Sequence, residues 1–383
     1  MTLTHRERSG TYHGLVSSKR LAVSLSLAIA VTGATSALAA CTAATPPNRA
    51  PATPTATAAA HRPSPAAARL DTRPGTGAPV TLAFAGDVHF TGRTDALLND
   101  PATAFGPISA ILKEADFTAL NLETAVTGRG TPQPKTYHFR ARPAAFTALR
   151  EGGVDLATLA NNHVLDYGQA GLADTLAAAR AARFPIVGIG MNAAQAWAPY
   201  VTTIKGVKIA IIGVSQVAEL APEWVATSTR PGEANAIDLA STLAAVRAAK
   251  RLASVVIVFM HWGTEGTECP DSNQLSLAPR LAAAGASIII GAHAHMLQGS
   301  GWLGHTFVAY GMANFLWWEN SYSTATGVLM LTLQPHGPLT SRFIPAVVSA
   351  TGQPIPLTGA AAAQAQAHYA SLRACAELTA QPG

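Results

Sequence analysis

The 383-residue sequence predicts an α/β domain, with helices layered on sheets, and three observations carry that expectation. From Val80 onward, apolar runs of strand length alternate with longer amphipathic segments, the pattern of layered α/β folds. Five of those apolar runs are followed by metal-type polar residues, and α/β sheets collect ligands at the ends of their strands. The stretch before Val80 has too few large apolar groups to share in a core.

Taken in order, the chain opens on a segment outside the fold. Arg6, Arg8, Lys19 and Arg20 form a positive region, and Leu21 through Ala34 form an apolar one ending in small residues, as in a secretory signal. Leu38-Ala39-Ala40-Cys41 has the form of a bacterial lipobox, which makes residues 1–40 a lipoprotein signal peptide and places diacylglycerol on Cys41. Two buried acyl chains hold a protein on a membrane far better than one. An ordinary signal peptide with an incidental cysteine, or an uncleaved anchor, also fits these residues. All three readings put the remainder outside the cytoplasm, and the first puts it on the extracellular face of the bacterial membrane. Residues 41–79, rich in Ala, Pro and Thr, are expected to form a flexible tether.

The domain is expected over residues 80–350. Strands are predicted at Val80–Ala85, Phe117–Asn121, Val154–Thr158, Val207–Ile212, Ser254–Met260, Ser287–Gly291 and Thr306–Tyr310. Helices are predicted at Gly106–Glu114, Ala144–Glu151, Gly171–Ala182, Ile237–Leu252 and Leu275–Ala284. Val328–Leu333 and Arg342–Val347 read as late strands of a second sheet. Residues 351–383 read as a linker and an Ala/Gln-rich surface helix from Ala360 to Thr379.

Charge says little about partners. The formal net charge is +5, and residues 1–40 hold four Lys+Arg against one acidic residue, so removing them leaves +2. A nearly neutral protein gives no reason to invoke nucleic acid, whose binders concentrate basic residues. With Cys41 lipidated, Cys269 and Cys375 remain, and an oxidising compartment allows them to pair; two separate buried thiols are the alternative.

The chemistry lies at the strand ends. Gly86-Asp87-Val88-His89 follows the first strand and sets a carboxylate and an imidazole two residues apart, on one side of an extended segment. Asn121-Leu122-Glu123 follows the second strand, and Asn161-Asn162-His163 the third. His261-Trp262-Gly263 and Gly291-Ala292-His293-Ala294-His295 come later, the last again with two imidazoles two apart. A lone histidine at a strand end is more often a structural residue, but five such pieces in order are not explained that way. Mixed imidazole and carboxylate donors suit first-row divalent ions such as Mn, Fe or Zn better than Mg or Ca.

This ordered set resembles the calcineurin-like metallophosphoesterase pattern, and more closely the CapA family of poly-gamma-glutamate capsule synthesis proteins. Phe84-Ala85-Gly86-Asp87, Asn121-Leu122-Glu123 and Ala160-Asn161-Asn162-His163 with Asp166 and Gly168 match it. So do His261-Trp262-Gly263 with Glu265, Gly291 to His295 with Gln298, and Tyr310 to Asn314-Phe315, so that the likeness spans Val80 to Phe315. The resemblance implies a four-layer α/β/β/α sandwich of two mixed sheets flanked by helices. It implies one metal on Asp87, His89 and His295, another on Asn162, His261 and His293, and Glu123 bridging them. His163 would be the non-ligand histidine that protonates a leaving group, and Asp166 would orient it unless it is an ordinary turn carboxylate. A close metal pair braces attacking and leaving oxygens.

Two departures stand out. Glu123 occupies a position that is Asp in the phosphoesterase pattern, although CapA-type proteins share Asn-Leu-Glu. Ala313 replaces a common Gly before Asn314. Glu265, Gln298 and Asn314 are expected in the substrate cleft or behind the ligands, where partners orient metal-bound imidazoles. Arg93 is placed either to grip an anionic substrate or merely in solvent. Trp262, Trp302, Trp317 and Trp318 are expected either to platform a polymer or to pack the interior.

The resemblance therefore implies a capsule-synthesis protein with a hydrolase or transferase site for a phosphoester or an anionic polymer such as poly-gamma-glutamate. The competing reading is a non-catalytic accessory subunit working beside capsule synthase subunits, since fold does not dictate function. A solute- or wall-binding lipoprotein with dispensable histidines is a third.

Overall fold

The computed structural model describes residues 77–383 save 337. The expected signal peptide, the lipidated Cys41 and nearly all of the 41–79 tether lie outside the described residues. Among the described residues, no helix is long and apolar enough to cross a membrane.

Two mixed sheets form the centre. The first contains β1 (Val80–Val88), β2 (Phe117–Leu122), β3 (Leu156–Thr158) and β4 (Ile186–Val187). The second contains β5 (Tyr200–Ile204), β6 (Val207–Ser215), β7 (Val255–Trp262), β8 (Ile288–His293), β9 (Ser300–Leu303) and β10 (Thr306–Ala309). The chain then returns to the first sheet as β11 (Asn314–Leu316), β12 (Ala325–Leu333), β13 (Thr340–Val348) and β14 (Pro354–Pro356). The strand orders are β14-β13-β12-β1-β2-β3-β4, with β11 beside β1, and β9-β10-β8-β7-β6-β5.

Period-two alternation builds the layers. Leu82 and Phe84 of β1 face inward onto Ile209 and Ile211 of β6, Ile257 and Phe259 of β7, and Ile288 and Ile290 of β8. Each such side chain contributes roughly 1.5–3 kcal/mol on full burial. The intervening Ala83 and Ala85 face the other way, in a cluster with Leu112 of α1 (Ile108–Leu112), Phe146 of α2 (Ala144–Gly152) and Leu172 of α3 (Gly168–Ala182). Ala210, Ile212, Val256 and Val258 line the outer face of the second sheet, under Val246 of α4 (Leu239–Leu252) and Leu281 of α5 (Ser272–Ala284). The expected order of helix, sheet, sheet and helix is thus what forms.

Several expectations change. Val328–Leu333 and its partner do not begin a second sheet: Ala325–Leu333 pairs antiparallel with β1, Val80 opposite Leu333. Apolar alternation says that a strand has a buried face, but not which neighbour supplies its ladder. The predicted strands also stop short, because β1, β6, β7 and β8 carry on through polar residues that still pair across the sheet. Gly106, at φ +59, and Pro107 delay the first helix to Ile108. Asp271 starts α5 earlier than expected by accepting from the Asn273 and Gln274 amides. The stretch after 350, expected as a linker, adds the edge strand β14. The last helix, α6 (Gly359–Ser371), ends where a 3₁₀ turn at Leu372–Ala376 takes over. That end is pinned twice: Tyr369 stacks on Phe343 at 4.0 Å, and Cys375 is disulfide-bonded to Cys269.

Candidate metal centre

The functional side chains gather at the carboxyl ends of parallel strands. Asp87 sits at the end of β1, Glu123 just past β2, Asn162 and His163 past β3, His261 in β7 and His293 in β8, with His295 two residues on. Two glycines allow the strands to end so closely. A Cβ at Gly86 would lie 1.8 Å from the Ala313 carbonyl oxygen, and one at Gly291 would lie 1.8 Å from that of Tyr310. The freed space lets the Asp87 amide donate to Ala313 at 2.9 Å and the Met312 amide to Gly291 at 2.9 Å.

The convergence of His293 and His295 is not the extended-strand geometry expected. Both residues adopt the left-handed region, at φ 86 and φ 55, so the chain turns sharply and presents the rings 5.8 Å apart. Non-glycine residues hold such conformations at a cost of roughly 1–3 kcal/mol, where the surroundings over-determine them. Here the His293 amide donates to Asp87 Oδ2 at 3.0 Å. Ala313 also lies at φ 60, a conformation that glycine adopts without steric cost.

Hydrogen bonds behind the donors aim them inward. Asn121 Nδ2 donates to Asp87 Oδ1 at 2.8 Å and lies 3.2 Å from His261 Nδ1. Asn161 Nδ2 donates in turn to Asn121 Oδ1 at 3.0 Å and to the Leu122 carbonyl at 2.9 Å. On its other side, His261 Nε2 lies 2.8 Å from Asn162 Oδ1 and 3.5 Å from Glu123 Oε1. Among the described residues two groups of three donors come within 4.8 Å of one another: Asp87, Glu123 and His261, and Glu123, His293 and His295. Glu123 is common to both, as expected of a bridge, although the grouping differs from the one the resemblance implies. His89 joins neither. Its ring is clamped between Phe139, 4.5 Å away, and Trp317, 4.1 Å away.

The donor set fits cations. Both Glu123 carboxylate oxygens, both His89 ring nitrogens and His293 Nδ1 are buried without a hydrogen-bond partner, a state rarely left uncompensated. Burial drives His89 and His293 well below the ordinary histidine value and His261 down to about 3, so these rings are neutral and able to ligate. Burial would lower His295 too, but Asp87, whose Oδ2 lies 3.4 Å from Nδ1, and the charges of Glu123 and Glu265 raise it to about 9 in the metal-free protein. Asp87 is pushed up by burial and pulled further down by His295 and His261. Glu123 stays well above its ordinary value through burial and then through Asp87.

His163 stands beside this cluster, its Nε2 3.8 Å from Glu123 Oε1 and its Nδ1 2.7 Å from Asp166 Oδ2. Asp166 is therefore a partner of His163 rather than an ordinary turn residue. Burial raises it to about 6, against the pull of Lys135. A cleft of about 230 Å³ opens over His163 and His295, lined by Tyr137, Phe139, Glu265, Trp317, Trp318 and Tyr322 among others.

The remaining expectations divide. Glu265 does face the cleft, 4.0 Å from His295 Nε2 and bonded by the Tyr322 hydroxyl at 2.7 Å. Gln298 does not: it is fully buried, accepts from Gln274 at 2.8 Å and donates to the Thr267 and Cys269 carbonyls, so it holds the 264–271 loop. Asn314, paired in register with Asp87, is buried with Oδ1 unpartnered. Arg93 is neither a substrate grip nor merely solvated, because its guanidinium donates to the Trp317 and Glu319 carbonyls and to Asn320 Oδ1. It shapes the cleft wall. Trp262 and Trp302 pack in the interior, while Trp317 and Trp318 line the cleft. Lys135, Phe139 and Tyr322 escaped the sequence reading; the one local signal was an aromatic and basic run, Lys135 to Arg140, within a Gly/Pro-rich stretch.

A family model described as "Bacterial capsule synthesis protein PGA_cap" matches residues 81–317. The "Capsule biosynthesis protein CapA" of Bacillus anthracis is 28% identical over 293 residues, covering 73% of this chain and 70% of that protein. A Mycobacterium tuberculosis protein named "Probable polyglutamine synthesis accessory protein" is 34% identical over 205 residues, covering 50% of this chain and 53% of that one. Among solved structures, Haemophilus influenzae NAD nucleotidase aligns with TM-score 0.44 and 16% identity, over 80% of this chain and 65% of that chain.

Proposed function

The chain belongs to the bacterial capsule synthesis protein family PGA_cap, and from that membership we propose that it serves capsule or poly-gamma-glutamate biosynthesis as a metal-dependent hydrolase or transferase. The observation that carries the catalytic reading is the convergence of buried donors from five strand ends, those of His89, Glu123, His293 and His295 without a hydrogen-bond partner, with His163 beside them. Asp87, His89, Glu123, Asn162, His261, His293 and His295 would hold two divalent ions such as Mn, Fe or Zn. When bound, such ions supply Lewis acidity toward a phosphoester or carbonyl oxygen and activate water at neutral pH.

The protein's own groups do the rest. Asp166 accepts from His163 Nδ1–H, and burial holds the ring well below the ordinary histidine value, so Nε2 starts unprotonated, able to take the proton released by the attacking water and pass it to a leaving group. The aromatic walls bind and orient the substrate, Glu265 lies beside His295 at the cleft, and the buried floor excludes bulk water. The leader sequence supports an anchored position on the outer face of the cell membrane through lipid on Cys41, facing an anionic polymer or phosphoester.

Purified protein is expected to carry about two divalent ions, by elemental analysis. His163→Ala is expected to abolish turnover in a screen of phosphoesters and polyglutamate while keeping both ions; normal turnover in that variant would refute the role of His163. The name of the M. tuberculosis relative favours a second reading, an accessory subunit of a polymer synthesis complex. That reading gains if the metal-loaded protein cleaves none of these probes yet co-purifies with membrane synthase components.

A further inference from the structure

Lys135 is a cation placed where cations are rare: its side chain is 2% exposed. A buried ammonium demands oxygen partners, and three surround it. Its Nζ lies 3.1 Å from Asp166 Oδ1 and 2.9 Å from Glu219 Oε2, and it donates to the Asn162 carbonyl. The Trp224 ring lies beneath at 5.3 Å. Glu219 and Trp224 follow β6 of the second sheet, whereas Asn162 and Asp166 follow β3 of the first. One side chain therefore ties the strand ends of both sheets together.

We propose that Lys135 is a positioning residue for His163, fixing the Asp166 carboxylate and the Asn162 peptide so that the imidazole presents Nε2 to the donor cluster. The inference rests on the reading that His163 handles the proton. The two Asp166 oxygens are divided between tasks. Oδ2 meets His163 Nδ1 at 2.7 Å and accepts from the Phe139 amide at 2.6 Å. Oδ1 faces Lys135 and has no other polar partner among the described residues. With the ammonium gone, that oxygen would be buried and unpaired, and the carboxylate could rotate and release the ring.

The lysine is held in register as well. The Gln133 amide donates to the Asp166 carbonyl at 2.9 Å, the Lys135 amide donates to the Gln133 carbonyl at 2.8 Å, and Phe139 stacks on His163 at 4.2 Å. A compact ammonium with three donors matches three oxygens arranged around a point, which a planar guanidinium does not. Lys135 does not line the cleft, so it acts through Asp166 and not on substrate.

The test compares wild type, Lys135→Met, Asp166→Asn and the double variant as full chains loaded with Zn²⁺. Zinc stoichiometry and affinity are expected within about threefold of wild type throughout, because neither side chain is a ligand. In ¹⁵N-histidine spectra, the single Nδ1–H tautomer of His163 should become a tautomer mixture in Lys135→Met. The double variant should show no further change beyond Asp166→Asn, the signature of two residues acting in series. With bis(p-nitrophenyl) phosphate as probe, kcat should fall about 10- to 100-fold and KM less than twofold. Should Lys135→Met not fold, Lys135→Gln carries the same comparison. An unchanged His163 tautomer in a folded variant, or additive effects in the double variant, would overturn the proposal. Wild type that binds zinc yet leaves the probe intact would count against the hydrolase reading, while the tautomer still decides the role of Lys135.

Discussion

Glu123→Gln separates a metal bridge from an ordinary buried acid, because the two states of the protein should respond with opposite signs. Glu123 is fully buried, both of its oxygens lack a partner, and it belongs to both donor groups. Its carboxyl sits well above the ordinary 4.5, through burial first and then Asp87. A carboxyl raised in this way contributes most to stability below its unfolded-state value, and the contribution is lost as pH rises through the folded one. Metal-free protein near neutral pH therefore bears a cost that a neutral amide of equal size reduces, by about 1–2 kcal/mol once the amide's own unmet hydrogen bonds are counted. At roughly 2 °C per kcal/mol for a domain of this size, the metal-free melting temperature should rise by roughly 2–4 °C. In the loaded protein the same change removes a unit negative charge beside divalent ions, each such contact worth about twice the ~4 kcal/mol of two unit charges at an effective dielectric near 20 before desolvation is subtracted, so metal affinity should fall at least about 10³-fold. Thermal scans with and without Mn²⁺, together with calorimetric titration, read both effects. Unaltered metal affinity would refute the bridging geometry, and a destabilised metal-free variant would refute the electrostatic reasoning.

Other perturbations follow from the packing. Gly86→Ala forces a methyl group to 1.8 Å from the Ala313 oxygen, so a loss of at least about 3 kcal/mol is expected in a urea titration; an unchanged midpoint would contradict the close approach of β1 to the 312–314 turn. Cys375→Ser opens a disulfide that spans 106 positions of sequence, and up to about 4–5 kcal/mol should be lost, with reductant abolishing the difference from wild type. Glu233, 1% exposed, is raised by burial to about 8, against its bond from Asn235. It therefore carries a proton at neutral pH, and its contribution disappears as pH rises through about 8. Wild type should lose stability from about pH 5 to pH 8, on the order of 1 kcal/mol per pH unit and levelling off above that, and Glu233→Gln should remove that part of the slope; a slope of equal size in both proteins would show that another group titrates.

The residues themselves determined the identity of the donor set and its distribution over strand ends. Asp87, Glu123, Asn162, His261 and His293 each follow an apolar run, and a run of that kind announces a buried strand whose polar end must emerge at an edge. Alternation along Leu82, Ala83, Phe84 and Ala85 likewise announces two buried faces, and so two flanking layers. The partner of each strand and the direction of each long side chain were settled only by the tertiary structure. Ala325–Leu333 could have paired anywhere that offered an open ladder, and it closes on β1 because the returning chain emerges beside it. Arg93, Gln298 and Lys135 are flexible side chains whose partners lie 224, 31 and 31 positions away at Trp317, Thr267 and Asp166. Local sequence governs periodicity and turn chemistry, whereas a hydrogen bond over such separations exists only once packing has brought both ends together.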